Sequence, residues 1–134
     1  MRRIVAPVLN VMIDHAEREW PLECCGLLYG DGELIDRVLP CTNESRSETT
    51  FSIPPQELFE AFRLIRRAGR RLMGIYHSHP RGPEGPSRRD IEEFEYREAS
   101  CWIVSMQNRP PVVRCFRWSP GGFVEESIAI KGSG

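Results

Sequence analysis

The chain of 134 residues has no long apolar run and no excess of charge of either sign. Its 18 Lys and Arg residues nearly balance its 19 Asp and Glu residues, which leaves a net charge of −1. A chain of this kind has no general basic surface, so we expect neither nucleic acid nor a membrane as its partner. The region near the N-terminus lacks an apolar segment of the kind that forms a signal peptide or anchor. This lack favours a cytoplasmic protein.

The sequence also lacks a Cys-x-x-Cys pair, and its five cysteines are an odd number. This pattern argues against a disulfide framework and favours a reducing compartment. We therefore expect most of the thiols to be small buried residues. A bridge between Cys41 and another cysteine stays open as an alternative.

Length and periodicity predict one α/β domain over residues 1–134. Apolar residues at helical spacing predict helices over 7–20 and 55–68, and a short helix is expected after Ser87. The predicted strands are 25–29, 33–39, 50–53, 72–79, 101–106, 112–118 and 123–130. This order of elements predicts a mixed sheet with helices on both of its faces.

Two of the three histidines, His77 and His79, are separated by one residue. The apolar run 72–76 before them predicts a buried strand, and residues two apart on a strand point to the same face. Both imidazoles therefore face one space at the strand end. Imidazole is a favoured zinc ligand, and a catalytic zinc site takes three protein ligands. The third histidine, His15, lies in a predicted helix without a second ligand at helical spacing, so we expect a structural role for it.

Asp90 is the best candidate for the third ligand because of its place in the chain. Ser87 is a plausible N-cap after the turn-rich segment 80–86, which places Asp90 at the third position of a helix. Two alternatives stay open. Ser-x-x-Asp is close to a capping box, which alone would explain both residues, and a His-x-His pair also occurs in ordinary strands. The occurrence of both features at one strand end favours the metal site.

His77-Ser-His79-Pro, followed after a loop by Ser87-x-x-Asp90, resembles the signature of the JAMM (MPN-plus) zinc metalloproteases. That family also has a glutamate just before a Cys-Gly and a short apolar strand, and the segment 21–30 around Glu23 is similar to it. The resemblance covers nearly the whole chain and implies an α/β/α sandwich of the cytidine-deaminase-like type. Deaminase chemistry is not implied, because the sequence lacks the Pro-Cys-x-x-Cys motif of the zinc deaminases.

The resemblance also implies a role for each of these residues. His77, His79 and Asp90 would bind Zn²⁺, while Glu23 would accept the proton of the attacking water and pass it to the leaving amine. Ser87 would donate a hydrogen bond to the developing oxyanion. Without the resemblance, Glu23 is interpreted as an exposed loop residue.

Members of this family hydrolyse peptide or isopeptide bonds after the C-terminal Gly-Gly of ubiquitin or ubiquitin-like proteins. The loop between His79 and Ser87 is short, and no added segment offers a surface for ubiquitin. The resemblance therefore favours the compact prokaryotic type, which acts on small sulfur-carrier proteins with a Gly-Gly tail. The alternative is a catalytically silent MPN-type interaction module, and the complete set of five residues favours the enzyme.

Overall fold

The computed structural model describes residues 1–132, and within them the chain forms three helices and eight strands. The helices are α1 (Ala6–Glu19), α2 (Pro55–Arg67) and α3 (Arg88–Glu93). The strands are β1 (Arg2–Val5), β2 (Cys25–Gly30), β3 (Leu34–Cys41), β4 (Arg71–His79), β5 (Ser100–Ser105), β6 (Val112–Ser119), β7 (Gly122–Glu126) and β8 (Ile128–Lys131).

All eight strands belong to one mixed sheet in the order β7-β6-β5-β4-β2-β3-β1-β8. Strand β4 lies near the middle, antiparallel to β2 and parallel to β5. Because both of its edges are hydrogen-bonded, residues at its C-terminal end are held from two sides.

Alternating residues of the central strands pack against the two long helices. On one face, Val8, Met12 and Ala16 of α1 contact buried residues that include Tyr76 and Trp102. On the other face, Ala61 and Ile65 of α2 pack with Leu27, Tyr29 and Ile75. The predicted α/β architecture, with a mixed sheet between helices, is confirmed.

The C-terminal strand differs from its prediction and explains how the sheet ends. The predicted strand 123–130 is broken at Ser127, because β7 pairs with β6 whereas β8 pairs with β1. The two outer strands of the sheet are thus successive parts of one chain segment. Arg2 fixes this junction by donating its backbone N–H to the Ser127 carbonyl and its Nε–H to Glu126, at 2.9 Å in each case. Both edge strands are short, with five residues in β7 and four in β8, and short edge strands limit pairing with other chains.

The prediction of a strand at 50–53 is wrong, because this segment is an irregular loop. Its backbone bonds to the side chain of Asn43 instead of a neighbouring strand. Asn43 Nδ2 donates to the Thr50 carbonyl at 3.0 Å, and Asn43 Oδ1 accepts from the Ser52 N–H at 3.1 Å. The side chain of Asn43, together with the Glu44 N–H that donates to the Ser52 carbonyl at 2.7 Å, therefore supplies hydrogen bonds to a loop whose residues have strand propensity.

Strand β1 was not predicted, since only four residues form it and its partners β3 and β8 are distant in sequence. Strand β3 also continues to Cys41, past Pro40, where the prediction ended it at 39. Pro40 is tolerated because β1 pairs only with Leu34 and Ile35, so no strand flanks β3 on that side at Pro40.

The five cysteines are free thiols, and each is buried, as expected. Burial raises the pKa of the Cys24 thiol to about 11 and that of the Cys41 thiol to about 12. Thiols of this kind are unreactive packing residues. Over residues 1–132, no helix has the length and apolar character needed to cross a bilayer.

Candidate metal centre

The two histidines at the end of β4 face one another in the protein interior. His77 and His79 are 2% and 5% exposed, and their Nε2 atoms lie 3.1 Å apart. The residue between them points to the opposite face, where the Ser78 hydroxyl accepts a hydrogen bond from the Cys24 N–H at 2.8 Å. The strand geometry predicted from the His-x-His spacing is thus present.

Asp90 completes a group of three potential ligands. One carboxylate oxygen, Oδ1, lies 3.2 Å from His77 Nε2, and the other, Oδ2, lies 3.0 Å from His79 Nε2. One ligand atom from each residue lies within 4.8 Å of the others. The loop 80–86 and α3 therefore bring Asp90 back over the strand end, as the sequence predicts.

The capping box that was considered as an alternative is also present. Ser87 Oγ accepts from the Asp90 N–H at 3.0 Å, and Asp90 Oδ2 accepts from the Ser87 N–H at 2.8 Å. The second bond fixes the rotamer of Asp90 with its carboxylate directed at the histidines. The helix cap and the cluster of potential ligands therefore depend on the same side chain.

Contacts on the far sides of both rings hold the histidines in place. His79 Nδ1 lies 2.8 Å from the Pro83 carbonyl, which can accept a hydrogen bond from it, and Nε2 is directed at the cluster. The ring of Phe51 stacks on His77 with 4.7 Å between centroids and 22° between planes. Such outer contacts orient the ligands of metal sites.

The pKa values reflect burial and the coupling among the three groups. Burial lowers the pKa of His77, outweighing the hydrogen bond to Asp90. Burial also disfavours a charge on His79, but the contacts with Asp90 and the Pro83 carbonyl outweigh it and raise the pKa of that ring. Burial would raise the pKa of Asp90, yet the two histidines lower it well below its usual range. At neutral pH the cluster thus offers a carboxylate and an unprotonated His77.

Glu23 is buried, and the interpretation as an exposed loop residue is wrong. Its side chain is 3% exposed, and its Oε1 has no hydrogen-bond partner. Burial raises the pKa of Glu23 to about 8, although His79 opposes the shift. Its backbone is fixed from both sides, because the Glu23 N–H donates to the Ser47 carbonyl at 2.8 Å and Asn43 Nδ2 donates to the Glu23 carbonyl at 3.0 Å.

Two cavities flank the cluster and differ in their linings. The larger, about 520 Å³, is lined by both apolar and charged side chains, among them Phe51, Leu58, Arg89 and Glu92, and it reaches His77 and Asp90. The smaller, about 260 Å³, is lined by the other three predicted site residues, Glu23, His79 and Ser87. A substrate could therefore approach the cluster from two sides.

The structure brings the five predicted site residues together, while their roles in binding and catalysis stay predictions. Two residues of the site, Asn43 and Phe51, were not found from the sequence. Phe51 belongs to the segment predicted as a strand, and Asn43 to a stretch interpreted as a polar loop. The signal for Asn43 was its place in that loop, since asparagine side chains bond readily to nearby backbone.

This fold and cluster define a JAB-type domain. A family model described as prokaryotic homologs of the JAB domain matches residues 5–119, so the chain belongs to that family. The predicted resemblance to the JAMM proteins is thereby confirmed.

Particular relatives are named as peptidases. The chain is 43% identical over 84 residues to a probable TtuB-protein conjugate cleaving protease of Thermus thermophilus, covering 62% of this chain but only 56% of that protein. It is 31% identical over 130 residues to a CysO-cysteine peptidase of Mycobacterium tuberculosis, covering 95% of this chain and 89% of that one. These names confirm the prediction of a hydrolase at the level of the enzyme class.

Solved structures confirm the fold. The solution structure of protein DSY2949 from Desulfitobacterium hafniense matches with a TM-score of 0.89 at 33% identity, covering 99% of this chain and 94% of that one. A structure described as a JAMM metalloprotease-like zinc site in the proteasome and signalosome matches with a TM-score of 0.64 at 17% identity, covering 98% of both chains. The second likeness supports the fold alone.

Proposed function

We propose that this chain acts as a single zinc-dependent domain that hydrolyses the peptide or isopeptide bond after the C-terminal Gly-Gly of a ubiquitin-like or sulfur-carrier protein. The observation that carries the proposal is the placement of a His-His-Asp cluster beside a buried, unpartnered carboxyl group and a serine hydroxyl. The names of the Thermus and Mycobacterium relatives support the class of substrate.

The three ligand residues fit zinc in kind and in spacing. Two imidazoles and one carboxylate are the donor set of known catalytic zinc sites, and a tetrahedral ion with bonds of about 2.0–2.1 Å keeps its ligand atoms about 3.3 Å apart. Separations of 3.0–3.2 Å among His77, His79 and Asp90 are close to that value. Zinc bound there would supply a Lewis acid that activates water and polarises the scissile carbonyl.

Glu23 has the properties of a group that accepts and returns a proton. It lies in the smaller cavity beside His79, and no neighbour occupies its Oε1. Burial makes the Glu23 carboxylate a stronger base by raising its pKa, and a cation bound at the neighbouring cluster would favour the ionised form that accepts a proton. Glu23 would therefore take a proton from the attacking water and deliver it to the leaving nitrogen.

Ser87 can donate a hydrogen bond into the same cavity. Its Oγ already accepts from the Asp90 N–H, which leaves the hydroxyl hydrogen free. The cap also fixes the position of the oxygen before substrate binds. A preorganised donor of this kind stabilises the negative charge that develops on the carbonyl oxygen.

Metal content and turnover of two variants test these roles separately. We expect one zinc per chain in the wild type, and His79→Ala should lose most of the metal and all activity. Glu23→Gln should keep the metal while activity falls roughly 100-fold or more, because an amide cannot accept the proton. The control is His15→Gln, which removes the remaining imidazole on the other face of the sheet and should keep both metal and activity. Full zinc occupancy in a His77→Ala, His79→Ala double variant would place the metal elsewhere.

The substrate class is tested with a carrier protein whose tail is altered. An adduct ending in Gly-Gly before the scissile bond should be cleaved, whereas the same adduct with Ala-Ala should be cleaved poorly, since glycine lets the backbone approach the site closely. Equal rates for both adducts would contradict the requirement for Gly-Gly. Zinc binding without cleavage of any carrier adduct would instead support the silent interaction module.

A further inference from the structure

On the proposed function, the two cavities would receive opposite sides of the scissile bond. The group that delivers a proton to the leaving nitrogen must lie next to that nitrogen, and Glu23 lines only the smaller of the two cavities. On the proposed function, the leaving group therefore occupies the smaller cavity. The carrier tail then approaches from the larger one.

Charged side chains of both signs line the smaller cavity. Of the described residues that line it, Arg81 alone carries a permanent positive charge, next to Glu23, Glu48 and His79. Arg81 directly follows the His-Ser-His-Pro segment, so it lies on the loop that passes between the histidines and Ser87.

Arg81 is held in a way that leaves its donors available. Its guanidinium Cζ lies over the ring of Trp20, 5.3 Å from the centroid, in a cation–π contact that requires no N–H group to donate to an acceptor atom. Its ion pair with Glu48 is long, at 3.6 Å, and both side chains are about half exposed or more. Exposed pairs of this kind contribute little, so another carboxylate can replace Glu48.

We propose that Arg81 binds the free carboxylate of the leaving group, and that this site therefore prefers carrier adducts whose leaving group is a C-terminal α-amino acid. In such an adduct the carboxylate is attached to the carbon next to the scissile nitrogen, inside the cavity that Arg81 lines. An isopeptide bond to a lysine side chain places no carboxylate there. Arginine suits this task because its planar fork matches a carboxylate in two parallel hydrogen bonds.

The cleavage of two substrates by the wild type and by Arg81→Gln tests whether Arg81 binds the carboxylate of the leaving group. The substrates are a Gly-Gly-tailed sulfur-carrier protein extended by one alanine, made as the free acid and as the carboxamide. Zinc-loaded wild type should cleave the acid with a kcat/KM roughly 10- to 100-fold higher than that of the amide, mainly through KM. In Arg81→Gln this ratio should fall to about one, and Arg81→Lys should restore part of it.

The matched control is Arg63→Gln. Arg63 also lies over an aromatic ring, 5.9 Å from the centroid of Phe59, and also pairs with a glutamate, Glu60, at 3.5 Å. It lines neither cavity, so its removal should leave the preference for the acid unchanged. A wild type without preference, or a preference that survives in Arg81→Gln, would overturn the inference. Failure of the zinc-loaded wild type to cleave either form would also overturn the inference, and failure on an isopeptide adduct of the same carrier as well would overturn the proposed function itself.

Discussion

A substitution of Asn43 tests how the loop that carries Phe51 supports the site. Its amide nitrogen donates to the Glu23 and Thr50 carbonyls, and its amide oxygen accepts from the backbone N–H groups of Ser45 and Ser52, all at 3.0–3.1 Å. One side chain therefore joins the backbone of Glu23 to the loop that carries Phe51. Asn43→Asp has nearly the same shape and keeps the acceptor, but it replaces both donated bonds with repulsion between oxygens.

The expected cost follows from the two bonds that are lost. Each contributes about 0.5–1.5 kcal/mol net, and two carbonyl groups are left without their donor, so the active arrangement should lose about 2–3 kcal/mol. If all of this appeared in the barrier, kcat would fall about 30- to 150-fold, at 1.36 kcal/mol for each factor of ten. We expect a decrease of at least about tenfold in kcat, with a smaller change in KM.

Steady-state kinetics of Asn43→Asp in the wild type and in Glu23→Gln separate a positioning role of Asn43 from simple loss of structure. If Asn43 acts through Glu23, Asn43→Asp should cost little further activity once Glu23→Gln has removed the proton acceptor. Asn10→Asp, at an exposed position in α1, introduces the same charge and should leave kcat unchanged. Equal losses from Asn43→Asp with and without Glu23, or an unchanged kcat, would refute the reasoning.

Three further predictions concern the surroundings of the site. Phe51→Ala removes the ring stacked on His77 and should weaken zinc affinity roughly tenfold or more in a chelator competition, and unchanged affinity would contradict this role. Gly26→Ala should lower the free energy of unfolding by about 1–3 kcal/mol in urea, because its methyl group would overlap the buried ring of Tyr76; a neutral effect would show that this ring can move. Burial lowers the pKa of His15, whose Nδ1 lies 2.8 Å from the Tyr76 hydroxyl. The stabilisation that the neutral ring contributes to the fold is therefore present above pH 6.5 and is lost as the pH falls below that value. His15→Gln should therefore reduce the difference between urea stabilities at pH 7.5 and pH 5, and an unchanged difference would refute this assignment.

The parts of the fold that sequence predicted well are those set by local pattern. Helices α1 and α2 and the central strands have strong periodicity and clear end signals, such as Pro55 at the start of α2 and Gly69, with a φ of 70°, after its end. The errors occurred where partners distant in sequence decide the structure. Strand β1 is short and depends on pairing with β3 and β8, and the break at Ser127 follows from a change of partner strand.

The candidate site was predictable to a different extent for each residue. The spacing of His77 and His79 on a strand follows from local geometry, and the return of Asp90 depends on a cap that the sequence also shows. The position of Glu23 could not be predicted from its neighbours, since its backbone is held by hydrogen bonds to Ser47 and Asn43, which are distant in sequence. Only the resemblance to a family identified that residue as part of the site.

The most direct test of the central claim is the rate at which a carrier adduct with a Gly-Gly tail is cleaved before zinc removal, after it, and after zinc is returned. Mass spectrometry of the released carrier follows the reaction, and metal analysis of the same samples gives the zinc content. The account predicts that cleavage stops when zinc is removed and recovers in proportion to its return, up to one zinc per chain. Cleavage that continues at full rate in the zinc-free protein would contradict it.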